Sequence, residues 1–292
     1  MLSVPRENYI YAMSKDNPAV LTVPSGAGLC FETNDALHGQ VMSDGQSISA
    51  LDWERVNPAT GPVAVEGAEP GDAIKVNIEQ IEISGMGIMA ALPGLGIFSG
   101  SITEGKLKIM PVLGDQIEFG YGINLPIRPM IGVIGTAPAG EAIPCGTPGS
   151  HGGNMDCKKI APGSVLYLPV FHPGGLLAMG DLHAAMGDGE VMGTGVEVSG
   201  KVWVTVNLIK GLYIPDPLLE TRDMIYSIAS ADTLENASLK AAGNIREMVV
   251  SKLGLDPETA GMLMSAAGQL EICQVVDPLM TVRFGMPKEY VM

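Results

Sequence analysis

Aromatic side chains are scarce in this chain of 292 residues: five Phe, seven Tyr and two Trp amount to 5%. Basic side chains are scarce too, 17 Lys and Arg against 32 Asp and Glu, for a formal net charge of −15. An acidic chain without a basic run cannot build the cationic footprint that phosphate backbones require, so nucleic-acid partners are excluded. The four cysteines, Cys30, Cys145, Cys157 and Cys273, form no Cys-x-x-Cys pair and are too few for a disulfide scaffold. Long hydrophobic runs are missing as well. The most apolar windows, 88–98 and 165–179, are broken by Pro and Gly and fall short of the ~20 residues a spanning helix needs. No membrane association is therefore expected. The N-terminal stretch lacks a basic start followed by an apolar core, so no signal peptide is expected and a reducing cytoplasm is the expected compartment.

Abundance lies in glycine and proline, 38 and 21 residues, and in apolar side chains at 46%, while charged residues reach only 17%. Mean hydropathy is +0.26. That is the opposite of a disordered composition, so the glycines and prolines read as turns between many short buried segments. Residues 73–83 alternate apolar and polar with a slip of phase near Gln80, the mark of a β-bulge. Val196 and Val198, then Ser199-Gly200, then Val202, Val204, Val206 and Leu208 predict a hairpin over 191–209. Residues 106–111, 130–134 and 165–170 are shorter strand candidates. Beyond Pro215-Asp216-Pro217 the spacing turns helical, over 219–231, 234–253 and 257–273. In the second helix Leu239, Ala242, Ile245, Val249 and Leu253 share a face. Asp256-Pro257-Glu258 is a strong helix start, and Met262 and Met264 in the third read as core filler. The expectation is a β-rich region over 1–212 and a mostly helical segment over 213–292 that completes the same fold.

The four histidines are His38, His151, His172 and His183, three of them in the Gly-rich stretch 151–183. Two dense polar strings stand there among apolar strands, His151-Gly152-Gly153-Asn154-Met155-Asp156 and 180–190. Asp181 and His183 are two apart and share one face of a strand. Asp188 and Glu190 are also two apart, behind the turn composition 186–189. If the chain reverses there, two carboxylates and an imidazole meet in one small volume. Carboxylate with imidazole suits zinc or a similar divalent ion, and a partly open site makes bound water nucleophilic. The plainer alternatives are a solvated polar hairpin for 180–190 and an Asx-bonded Gly-rich loop for 151–156. His172 reads as a turn histidine beside a strand. Within Glu32–Gln40, Asp35 is the better ligand candidate, and His38 divides between pocket lining and ordinary loop. The sequence holds no Gly-x-Ser-x-Gly elbow and no phosphate-binding glycine loop. Cys145 or Cys157 with His151 as base is a weak alternative to two buried thiols.

The strings 151–156 and 180–190, with Asn57-Pro58-Ala59-Thr60-Gly61-Pro62, the stretch 66–72 and the strand 166–170, resemble the acetamidase/formamidase family over roughly 20–285. The resemblance implies hydrolysis of small amides to ammonia and a carboxylate on a β-sandwich-rich, jelly-roll-like fold, with a bound divalent metal and a homodimer. By position it implicates Asp35, His151, Asn154, Asp156, Asp181, His183 and Glu190. The chain departs from the family pattern at His38, where Gly is expected, and at Met186, where Gln is frequent. Both departures bear on the substrate. Metal-assisted hydrolysis then assigns Asp35, Asp181 and His183, helped by His151 or Glu190, to the ion, with zinc expected and calcium the alternative. Glu190, or second Asp156, is the base, and Asn154 with the amides of Gly152 and Gly153 holds the substrate; His38 lines its pocket. The rival readings are a non-catalytic sandwich with a structural calcium and a hydrolase of another small C–N compound, such as a cyclic amide, at the same site.

Overall fold

A computed structural model describes residues 1–292. The strands that build the core and site are, in chain order, β1 (Ala27–Thr33), β2 (Ala59–Val65), β3 (Ala73–Ile83), β4 (Met86–Ala91), β5 (Met130–Gly135), β6 (Gly152–Asn154), β7 (Val165–Pro169), β8 (Leu177–His183), β9 (Glu197–Val198), β10 (Gly200–Ile209), β11 (Leu218–Glu220) and β12 (Met224–Ala231). Helices α1 (Leu234–Leu253) and α2 (Pro257–Ala267) follow, then β13 (Gln269–Gln274) and β14 (Met280–Pro287).

These strands belong to two large sheets. One has nine strands and runs β1-β10-β3-β7-β11-β12-β14-β13 inward from an edge at Leu2–Val4. The other has eleven and carries β4-β9-β8-β5-β6 in sequence, with β2 branching onto β8. Side chains from both enter a common core: Val76, Ile78, Leu166, Val202 and Val204 from the first sheet meet Val63, Ile131, Ile134, Met179 and Leu182 from the second. The fold is therefore mostly β, two sheets packed face to face with two helices near the C-terminus, as the alternating runs predict.

The phase slip near Gln80 is a real bulge. β10 pairs with β3 through Trp203↔Gln80 and then Val204↔Ile78, leaving Glu79 as the extra residue.

The hairpin expected over 191–209 does not form. β9 pairs with β8 and β4 in one sheet, while β10 pairs with β1 and β3 in the other. Ser199-Gly200 is a crossing between layers, and a Cβ at Gly200 would stand 2.2 Å from the Glu82 carbonyl.

Residues 219–231 are strands, not helix. Ile225 and Ala229 of β12 face the helices, whereas Tyr226 and Ile228 face the inter-sheet core. A strand buried on both faces loses its apolar–polar alternation and no longer reads as one. The third helix also stops early, at Ala267. After Gly268 the chain pairs as β13 with β14, so Cys273 is a strand residue. The stretch 213–292 is thus mixed rather than mostly helical, and its four strands extend the nine-stranded sheet. α1 buries Ala237, Ala241, Ile245 and Val249, leaving Leu239 exposed, because the packed stripe is rotated from the one the larger side chains suggest. Met264 is buried as expected, but Met262 is exposed. No helix is long and apolar enough to cross a membrane.

Candidate active site

The site lies at one end of the eleven-stranded sheet, where β8 runs between β5 and β9. His183 ends β8, and the register sets it directly across from Glu197 on β9 and Met130 on β5. Directly paired residues on one sheet face have neighbouring side chains, and His183 Nε2 stands 3.1 Å from Glu197 Oε2. Asp181 lies on the same strand, with its Oδ1 3.4 Å from that nitrogen. From the loop after β6, Asp156 brings its Oδ1 to 3.7 Å. Glu190 enters from the segment after Asp188, and its carboxylate groups with those of Asp156 and the His183 ring. The reversal through 186–189 expected from sequence therefore brings Glu190 to His183. Two overlapping donor groups result, Asp156-His183-Glu190 and Asp181-His183-Glu197.

The backbone is bent to make this cluster. Asp156, Asp181 and Glu190 have φ of +42°, +54° and +47°, the left-handed region that non-glycine residues rarely adopt. Glycine makes the room. A Cβ on Gly132 would lie 2.5 Å from Asp156 Oδ1 and 2.7 Å from Asp181 Oδ2, and one on Gly195 would lie 2.5 Å from His183 Nδ1. Asn154, on β6, donates from Nδ2 to Asp277 Oδ2 at 3.0 Å, which adds a fifth carboxylate to the rim.

Asp277 is half-buried and the rest are fully buried, and both Asp156 oxygens, Asp181 Oδ1, Glu197 Oε2, Asn154 Oδ1 and both His183 nitrogens lack a hydrogen-bond partner. Burial, then the charges of Glu190 and Asp181, holds the Asp156 carboxyl well above the usual carboxylate range. Burial likewise raises Glu190 and Asp277, and takes Glu197 up to about 8. Burial alone would lower His183, but the charges of Glu197 and Asp181 raise it well above an ordinary imidazole. Burial opposes ionisation of Asp181 too, yet the charge of His183 pulls it below its ordinary value. One imidazolium cannot balance so many crowded carboxylates. Their orphaned oxygens and ring nitrogens are the donors a divalent cation takes.

Other candidates stand elsewhere. The Asp35 carboxylate accepts from the amides of Leu37 and Gly39 and shapes its own loop; it joins neither donor group. His38 sits edge-on to Tyr9, with Tyr11 Oη on its Nδ1. His151 is buried with both ring nitrogens unpartnered, but it too is outside both groups and lines a separate cavity of about 430 Å³ with Glu141 and Phe171. The Gly152 amide already donates to the Gly149 carbonyl at 3.1 Å, which leaves it no free N–H for a substrate. His172 bonds the Pro138 carbonyl, as a turn histidine. Cys145 is buried, with its thiol pushed up to about 12 by burial, which disfavours it as a nucleophile. Cys157 faces the Arg283 guanidinium rather than an imidazole.

Sequence reasoning missed Glu197, Asp277, Gly132 and Gly195. Glu197 carries a weak signal, a lone carboxylate between Val196 and Val198 in an apolar strand. The others carry none.

The acetamidase/formamidase family model matches residues 12–145 and 139–289. The chain belongs to the acetamidase/formamidase family. Among solved structures, an acetamidase from Bacillus halodurans superposes with a TM-score of 0.97 at 45% identity, covering 99% of this chain and 98% of that one. A predicted acetamidase/formamidase from Thermoanaerobacter tengcongensis gives 0.97 at 44% identity, covering 99% and 97%. The acetamidase of Mycolicibacterium smegmatis is 29% identical over 265 residues, 67% of this chain and 64% of that protein. As a member of the acetamidase/formamidase family this chain is an amidohydrolase, and its class of reaction is the cleavage of amides to ammonia and a carboxylate.

Proposed function

We propose that this amidohydrolase cleaves small aliphatic amides of the formamide and acetamide type, with a divalent cation held by the cluster around His183. The observation that carries the reading is the buried donor set itself, one imidazole ringed by carboxylates whose oxygens have no other partner. Asp156, Asp181, His183 and Glu197 are the residues that would hold the cation, with Glu190 beside them. The imidazole at the centre favours zinc over calcium, which prefers an all-oxygen shell. Once bound, such an ion polarises a carbonyl and lowers the pKa of water.

The protein's own groups supply the rest. Glu190 is the preferred base, because it touches the cluster and also lines the open groove beside it. It takes a proton from the attacking water and returns it to the nitrogen as the C–N bond breaks; the hydroxyl goes to the acyl carbon. A carboxylate within reach of the attacking water is suited to both transfers. Asn154, oriented by its bond to Asp277, keeps Oδ1 free to accept from the amide NH2.

Ammonia release from formamide, acetamide and propionamide tests the reading. Turnover is expected to vanish on chelation and return with zinc, and elemental analysis of the purified protein should find the ion. No release from any of the three by metal-replete protein overturns it.

The chelated protein should also lose stability as pH rises. Asp156, Glu190, Glu197 and Asp277 bind protons more tightly folded than unfolded. Their contribution is present below the ordinary carboxylate range and lost as pH climbs through the folded values, to about 8 for Glu197. His183, also raised, loses its contribution on the same rising side; Asp181 opposes at low pH, and the buried His151, lowered to about 4, opposes as pH rises through the ordinary imidazole range. A lower Tm at pH 8.5 than at pH 5.5 is expected for chelated protein, narrowing when zinc is added. An unchanged Tm would contradict the burial of these groups.

A further inference from the structure

Beside the cluster opens a groove of about 380 Å³ that shares Glu190 with it and passes Gly195, the residue beneath the His183 ring. Such a volume belongs to sites that take ligands of drug-like size. Formamide and acetamide have three and four heavy atoms and, at ~30 Å³ for even a water molecule, leave most of the groove unfilled. Its walls near the cluster are apolar and half-buried: Leu125, Met186, Met89, Phe119 and Met192. The last three also line a second cavity of about 220 Å³, so the two cavities adjoin across these side chains.

The charge along this groove is the reverse of the chain's. In a protein with 32 acidic and 17 basic side chains, the groove carries Arg128 on its first half and Lys106 and Lys108 on its second. None of the three is ion-paired. Lys108 lies over the rings of Phe119 and Tyr121, at 5.0 and 5.5 Å from their centroids, which holds its charge against the apolar wall. The two acids that line the first half are committed elsewhere: Glu190 belongs to the cluster, and Asp188 is bound by Arg283 and Lys158.

We infer that the preferred substrate is a longer linear amide, with an apolar acyl chain of several carbons that ends in an anion. The amide lies at Glu190, the methylenes run along Met89, Phe119 and Met192, and the terminal carboxylate is drawn by the unpaired cations on the way, Arg128 in the first half and Lys106 and Lys108 in the second. The reaction is the same hydrolysis, yielding ammonia and a dicarboxylate. This inference rests on the amidase reading above and sharpens its substrate.

Three amides of equal length separate the contributions: the monoamide of adipic acid, neutral hexanamide and cationic 6-aminohexanamide, each compared with acetamide. Hexanamide is expected to exceed acetamide in kcat/KM by at least about fourfold, the value of one buried methylene. The adipic monoamide should exceed hexanamide, and 6-aminohexanamide should fall below it. In R128E the ratio of adipic monoamide to hexanamide is expected to drop about tenfold, and K108M should lower it in the same direction. Because each ratio is taken within one variant, the fraction of folded protein cancels. Acetamide turned over best, or a ratio untouched by R128E, overturns the inference and leaves the amidase reading standing. Failure to cleave any amide, acetamide included, overturns the amidase reading itself.

Discussion

Replacing His183 by alanine is expected to strip the protein of bound cation and to lower kcat/KM for acetamide by about 10³-fold, the several kcal/mol that an ion's polarisation of a carbonyl is worth. His183 is fully buried and lies within 3.1 to 3.7 Å of Glu197, Asp181 and Asp156. It is the imidazole common to both donor groups. Without it the carboxylates face one another with no cation of the protein's own, and breaking a buried ionic arrangement from one side costs about 3–5 kcal/mol. The variant should therefore melt lower as well. H183N, which keeps a polar side chain at the position, separates folding from chemistry: it should recover much of the Tm and little of the activity. Ammonia release and metal content matching wild type in H183A would end the assignment of this cluster as the active site.

The second large effect is expected at Arg283, far in sequence from the two polar strings. It is completely buried on β14, donating from Nε to Glu271 Oε2 at 2.7 Å and from Nη2 to both Asp188 oxygens at 3.0 and 2.9 Å. Its third nitrogen faces the thiols of Cys157 and Cys273. Arg283 thereby ties the residue after Asp156, the strand β13 and the segment leading into Glu190 to one rigid fork. R283M leaves Asp188 and Glu271 with only Lys158 and Lys159 as partners. Because both acids are about a third exposed, the cost should sit at the low end for a broken buried pair, about 3 kcal/mol. That corresponds to a fall in Tm of roughly 6–10 °C. A positioning role also requires kcat to fall by more than KM rises, since Glu190 is displaced while the groove walls remain. R283K restores charge without the fork and should recover part of the stability. A kcat unchanged beside a lowered Tm would reduce Arg283 to a purely structural part.

Much of the candidate site was legible because its residues come in short strings with strand spacing. Asp181 and His183 share a strand, and the glycine-rich turn at 186–189 had to bring Glu190 back; both expectations hold. Asp35 looked equivalent on composition, but its carboxylate is consumed by the amides of Leu37 and Gly39, a local competition that no residue type reveals. Glu197 and Asp277 escaped because they reach the cluster across strands and loops distant in sequence. The fold shows the same division. The alternation in 73–83 displayed even its bulge, whereas β12 was mistaken for helix because its two faces are both buried.

Composition and periodicity by themselves determined a β-rich chain and singled out the polar strings at 151–190. Those are local properties, set by side-chain alternation and by polar strings among apolar strands. Only the tertiary structure decided that Ser199-Gly200 crosses between sheets, that 213–292 adds strands to an existing sheet, and which carboxylates close around His183. Each of these depends on hydrogen-bond register between segments far apart in the chain, and register is fixed by what must be buried together, not by the residues of either segment alone.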